Sequence, residues 1–165
     1  MFELVFVSVG IGFLLILLLK RSTTSIVVEK DYYEEPDALT GRFERWELSQ
    51  FEKVCLKLLE ELGLEVRSIA YLNTREFDLV ACDPKPVTGG DFIIHCLLAP
   101  PGEIVEANRV IALSDVVRTE KASKGIFITT GYFSADTANL PEGAPLELIN
   151  AKRLKQLILE HDLLA

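Results

Sequence analysis

The sequence predicts an α/β domain built on a mixed β-sheet with helices on both faces, preceded by one transmembrane helix. Three observations point there. An amphipathic helix pattern leads into three extended apolar runs joined by short turns, which makes those runs antiparallel neighbours. Two further extended runs follow, separated by helical stretches, and such crossovers add parallel strands to the same sheet. Ahead of all of them stands an uncharged apolar run at the N-terminus.

That run, Leu4 to Leu19, reads "LVFVSVGIGFLLILLL" and is followed at once by Lys20 and Arg21. At about 1.5 Å per residue it falls slightly short of a hydrocarbon core of about 30 Å. Met1 and Phe2 at one end, and snorkelling of Lys20 and Arg21 at the other, close the gap. A cleaved signal peptide needs positive charge before its apolar run and small residues at a cleavage site after it. Here Glu3 precedes and "LLLKRSTTS" follows, so residues 1–21 are expected to remain as an anchor in the lipid bilayer. The basic flank lies C-terminal to the anchor. By the positive-inside rule this predicts a single pass through the cell membrane, with the N-terminus outside and the rest of the chain cytoplasmic.

Residues 22–47 are acidic, contain Pro36 and Gly41, and keep no sustained period. They read as a juxtamembrane linker in which "SIVV" can pair as a short edge strand and Tyr32, Tyr33, Phe43 and Trp46 can dock on the domain. The domain itself is expected over 48–165. Ser49-x-x-Glu52 matches a capping box, with Ser49 as N-cap and Glu52 reaching back to its N–H. Phe51, Val54, Cys55, Leu58, Leu59 and Leu62 then form one apolar stripe, and Gly63 ends the helix at C′. Strands are expected over 64–72, 76–83 and 91–98, with turns at Asn73-Thr74 and "PKPVTGG". A helix over about Glu103 to Glu120 stops by Gly125, "GIFITTG" reads as a buried strand and "SADTAN" as a brief helical turn. "LELI" is the last strand. Asn150 caps a closing helix, "AKRLKQLILEHDLL", that turns Leu154, Leu157 and Ile158 inward.

At 165 residues and 49% hydrophobic content the chain is large enough to bury a proper core. Its formal charge of −8 argues against non-specific nucleic-acid binding, which depends on Lys and Arg neutralising phosphates; a local basic patch stays open. Cys55, Cys82 and Cys96 lie in apolar helix- or strand-like settings with no CxxC and no paired Cys/His ligands. They read as reduced core residues.

Four stretches, in order, carry a family likeness: "LSQFEKVCLKLLEELGLEV", "EFDLVA", "KGIFITTGYFSADT" and "LELINAKRLKQLI". Over about Leu48 to Leu159 they resemble the restriction-endonuclease-like fold of the PD-(D/E)XK nucleases, specifically the Mrr-type domain. The resemblance implies a divalent cation, usually Mg²⁺, held by carboxylates beside the scissile phosphate. It also implies a lysine that steadies the attacking water and the developing charge. In that pattern the ligands come from an acidic residue on the first helix, an Asp on the second strand and a (Glu/Gln)-x-Lys pair on the third. Glu52 and Asp78 match the first two, with Asp78 the candidate metal ligand; the third falls on His95-x-Leu97.

Alternation puts His95 and Leu97 on one face of their strand. Imidazole suits Mg²⁺ poorly, and Leu97 offers neither charge nor proton. Losing one well-placed electrostatic stabiliser typically lowers a rate by about 10²–10³. The resemblance therefore implies a centre without nuclease activity and without a cofactor, Mg²⁺ being required only if the centre works. Lys85, between two prolines, and Lys124 are the lysines that would have to relocate, and nothing in the spacing favours either. Plainer roles also exist: Glu52 as a cap, Asp78 as a hydrogen-bonded structural carboxylate, His95 as a satisfied core histidine.

Three functional readings follow. The first is a membrane-anchored, nuclease-dead domain acting as an interaction or scaffold module for an unidentified protein partner. The second is a metal-dependent DNA endonuclease or a DNA-binding relic, with Arg109, Arg118, Lys121 and Lys124 touching DNA rather than forming an ordinary solvated face. The third is an unrelated small-ligand domain, to which only the "TTGYFS" loop at a strand end points.

Overall fold

The leading helix, α1 (Leu48–Glu61), begins two residues earlier than the capping-box pattern predicts. Its N-cap is Glu47, in extended geometry, and the capping box pairs Glu47 with Gln50, whose Oε1 accepts from the Glu47 N–H at 3.3 Å. Ser49 is inside the helix, and Glu52 is released from any capping duty. The shift has a packing cause. Phe43 and Trp46 stack edge to face at 4.8 Å, and Trp46 packs on Phe51, so the chain is held against the core before the helix starts. The other end is as expected: Gly63 takes φ +76 at C′, with Leu64 N–H on Leu59 O at 2.9 Å and Gly63 N–H on Glu60 O at 2.8 Å.

These coordinates come from a computed structural model that describes residues 43, 45–86, 89–139, 143 and 145–164. The run Leu4–Leu19 and the linker to residue 42 lie outside the described residues. Among those described, no helix is long and apolar enough to cross a membrane.

After α1 come β1 (Glu65–Tyr71), β2 (Glu76–Asp83) and β3 (Gly90–Leu97), antiparallel in succession as their short turns require. A register shift between Val66 and Ser68 bulges β1, the edge strand. The stretch expected as a single helix from Glu103 splits into a two-residue strand β4 (Ile104–Val105) and α2 (Ala107–Thr119). β4 pairs in parallel with β6 (Tyr132–Phe133), a ladder too short to leave a periodic signal. Between them β5 (Lys124–Thr129) joins the main sheet parallel to β3. A 3₁₀ turn (Ala135–Asn139), β7 (Leu146–Ile149) and α3 (Ala151–Glu160) complete the order. Asn150 caps α3, its side chain accepting from Arg153 N–H at 2.9 Å. His161 is the C-cap, so α3 stops before the run "HDLL".

The five-stranded sheet has the order β1-β2-β3-β5-β7 and a core on each face. On one face α1 and α3 cover Phe77, Leu79, Ile94, Cys96, Ile126 and Ile128; on the other α2 covers Ile93, Leu97 and Phe127. Odd positions of β2 share the face of the even positions of β3, so the register alone settles which side chains meet α2. All three cysteines are buried and free. Burial, and then a hydrogen bond with Cys55, push the Cys96 thiol well above its ordinary range.

Candidate functional site

The β2–β3 ladder brings four side chains onto the α2 face. Asp78 stands opposite His95, and Glu76 opposite Leu97. Asp78 Oδ1 lies 2.6 Å from His95 Nδ1. The other ring nitrogen, Nε2, lies 3.3 Å from an Arg109 guanidinium nitrogen, and that same nitrogen is 2.7 Å from Glu76 Oε2. Arg109 belongs to the first turn and a half of α2, which the β3–β5 crossover lays over this part of the sheet.

The chain of contacts assigns the ring protons. A guanidinium can only donate, so His95 Nε2 accepts from Arg109 and its Nδ1 carries the proton that Asp78 accepts. Carboxylate, imidazole, guanidinium and carboxylate are thus linked in series. Phe127, fully buried, meets the imidazole edge to face at 4.7 Å and walls off one side. Asp78 and Arg109 remain the accessible members, with side chains 39% and 33% exposed against 13% for His95 and 14% for Glu76.

Leu97 is fully buried with Val105, Val110, Phe127 and Phe133. An ammonium there would sit among apolar side chains at a desolvation penalty of several kcal/mol. Neither candidate substitute lysine reaches the centre. Lys85 pairs with Asp83 at 3.5 Å, five strand residues beyond Asp78, or roughly 16 Å at about 3.3 Å per residue. Lys124 is ion-paired with Glu147, and its odd spacing from Phe127 turns it to the opposite face.

Glu52 is separated from the other three positions. Its Oε2 accepts a 2.9 Å hydrogen bond from the hydroxyl of Tyr71, which packs on Phe77. Phe77 and Asp78 are consecutive in β2, so this contact lies on the α1 side of the sheet while Asp78 points to the α2 side. The four basic candidates are likewise dispersed. Arg109 is in the centre and Lys124 in its ion pair. Arg118 is exposed in the last turn of α2, roughly two and a half turns from Arg109, and Lys121 is exposed just past the helix end.

Glu76 and the inward role of Arg109 escaped the sequence reading. The signal for Glu76 was the E-x-D spacing with Asp78, which puts both carboxylates on one strand face; nothing local marks Arg109, because α2 brings it there from fourteen residues further along. The donor set fits Mg²⁺ poorly. One Asp78 oxygen holds an imidazole N–H, Glu76 holds a guanidinium, and His95 is a nitrogen donor where hard oxygen is wanted. Among the described residues, no three His, Cys, Asp or Glu side chains are grouped to hold a metal ion.

Residues 43–158 match the Mrr catalytic-domain family, described as restriction endonuclease. The chain belongs to the Mrr restriction endonuclease family. The matched region accounts for nearly all the described residues. Among solved structures, the DNA modification-dependent restriction endonuclease AspBHI is similar with a TM-score of 0.55 at 16% identity. That match covers 86% of this chain but only 40% of AspBHI. The MspJI restriction endonuclease, solved in complex with a 27-mer oligonucleotide, overlaps at a TM-score of 0.46 and 12% identity, over 83% of this chain and 34% of its own. No curated protein matches the chain. In this Mrr-family member the third strand thus carries a hydrogen-bonded His95 and a buried Leu97.

Proposed function

We propose that this chain is a catalytically silent Mrr-type domain, anchored to the cytoplasmic side of the membrane through Leu4–Leu19 and serving as an interaction module for a protein partner. One observation carries the reading: the position of the family lysine is taken by Leu97, buried at 0% exposure, beside an Asp78 whose carboxylate is engaged by His95. Hydrolysis of a phosphodiester needs a cation to offset charge developing on the phosphorus oxygens. The one cation within the centre, Arg109, is bound to Glu76 and His95. The anchor and the net charge of −8 add to the case against a DNA-cutting role.

The test is plasmid incubated with the full chain in detergent and Mg²⁺ or Mn²⁺. The expected result is no cleavage, and no difference between the native chain and Asp78→Ala. Cleavage that vanishes in Asp78→Ala would overturn the reading. A second reading, DNA binding without cleavage, draws on family membership and on the exposed Arg118 and Lys121. A gel shift that weakens with salt and with Arg118→Ala/Lys121→Ala would favour it.

A further inference from the structure

We infer that the Arg109 guanidinium is the resident cation of this centre, standing at the point where an ion would sit, with Glu76 and His95 as its ligands and Asp78 orienting the histidine. The inference deepens the reading of a silent centre and rests on it. Its basis is convergence. Glu76 Oε2 and His95 Nε2, from adjacent strands, both point at one nitrogen of Arg109, at 2.7 and 3.3 Å. Behind the ring, Asp78 accepts from Nδ1 at 2.6 Å. A carboxylate on one imidazole nitrogen and a cation on the other is the arrangement by which proteins present histidine to a metal, fixing the tautomer and turning the lone pair outward. Here the cation at the end of that chain is covalently part of α2.

The charges agree. Glu76 and Asp78 lie two residues apart on one strand face, so two negative charges are held within roughly 7 Å of each other. Two like charges so close, one of them on the largely buried Glu76, favour a counter-charge beside them. A guanidinium supplies it permanently, since it does not lose its proton in proteins, and its fork allows one nitrogen to serve both acceptors. A divalent ion at the same point would have to displace Arg109 and leave a third positive charge close by. The native chain is therefore closed to metal, and removal of the guanidinium leaves one carboxylate and one imidazole aimed at a vacated position. Such a mixed nitrogen and oxygen set suits Co²⁺ or Zn²⁺, with water completing the coordination, and not Mg²⁺.

The experiment titrates the full chain in detergent with Co²⁺, following visible absorption, for the native protein and for Arg109→Met, which keeps the apolar stem. The native chain is expected to show no site, and Arg109→Met to bind at least about tenfold more tightly. Adding Asp78→Asn to Arg109→Met should weaken binding by about 10- to 100-fold, as loss of a residue orienting a metal-bound histidine does. Circular dichroism checks that each variant is folded. A folded Arg109→Met that binds no cobalt would overturn the inference. So would Co²⁺, Mn²⁺ or Mg²⁺ binding by the native chain that depends on Asp78, even with no cleavage, an outcome that leaves catalytic silence standing. Nitrogen-15 shifts of His95 in the native chain give a check that needs no variant. A proton on Nδ1 and a lone pair on Nε2 agree with the assignment, and the reverse tautomer sinks it.

Discussion

Tyr71 illustrates how one residue reports on its neighbour. Its phenol is held above the ordinary tyrosine range, first by the hydrogen bond it donates to Glu52, then by burial, then by the nearby negative charge of the same carboxylate. The raised value means that the contact contributes while the phenol is protonated and disappears as pH climbs through the folded-state value. Replacing Glu52 by Gln removes the charge and weakens the acceptor, so the Tyr71 titration, followed by NMR, should move down toward the ordinary range. If it stays where it is, the Glu52 contact is not its cause. The family likeness alone assigned Glu52 to the metal centre; strand alternation carries it to the other side of the sheet instead. Asp78, His95 and Leu97 were legible as one face because a period of two is a local property of any strand. That His95 would pair with Asp78 depended on register, and register needs both strands.

At the scale of elements, the two helix ends of α1 and α2 use one motif with different residues. Both close with a 6→1 hydrogen bond, Leu64 N–H to Leu59 O in one and Ala122 N–H to Val117 O, at 3.0 Å, in the other. The left-handed position is Gly63 in α1 and Lys121, at φ 55, in α2. A residue with a Cβ is strained there, and only the first of these stops leaves a mark in sequence, which is why the expected stop for α2 fell at Gly125. Lys121→Gly should relieve the strain and stabilise the domain by about 0.5–1 kcal/mol, measured as a rise in the urea midpoint at unchanged slope. No gain would mean that the φ value carries little strain. Gly125 itself serves packing: a Cβ there would meet Leu146 Cδ2 at 2.5 Å and Val117 Cγ2 at 2.7 Å, so α2 and β7 approach β5 closely only because it is glycine.

Across the whole molecule, a line of rings runs from Phe43 through Trp46, Phe51 and Phe77 to Tyr71, tying the chain ahead of α1 to the edge of the sheet. Phe43 is only 6% exposed, as deeply set as many side chains of the strands. Phe43→Ala should therefore lower the unfolding free energy by roughly 3 kcal/mol, within the usual span for burying and then removing a phenyl ring, and a loss under about 0.5 kcal/mol would make the docking incidental. From the sequence by itself came the number and type of the main elements, the antiparallel start and parallel finish of the sheet, and the buried cysteines. These rest on periodicity, turn residues and side-chain chemistry, all readable within a few positions of the chain. Tertiary structure alone decided that Glu52 pairs with Tyr71 away from Asp78, that Glu76 joins the centre, and that Arg109 turns inward onto Glu76 and His95. Each of those depends on contacts between segments distant in sequence, where register and the path of a crossover helix determine which charges meet.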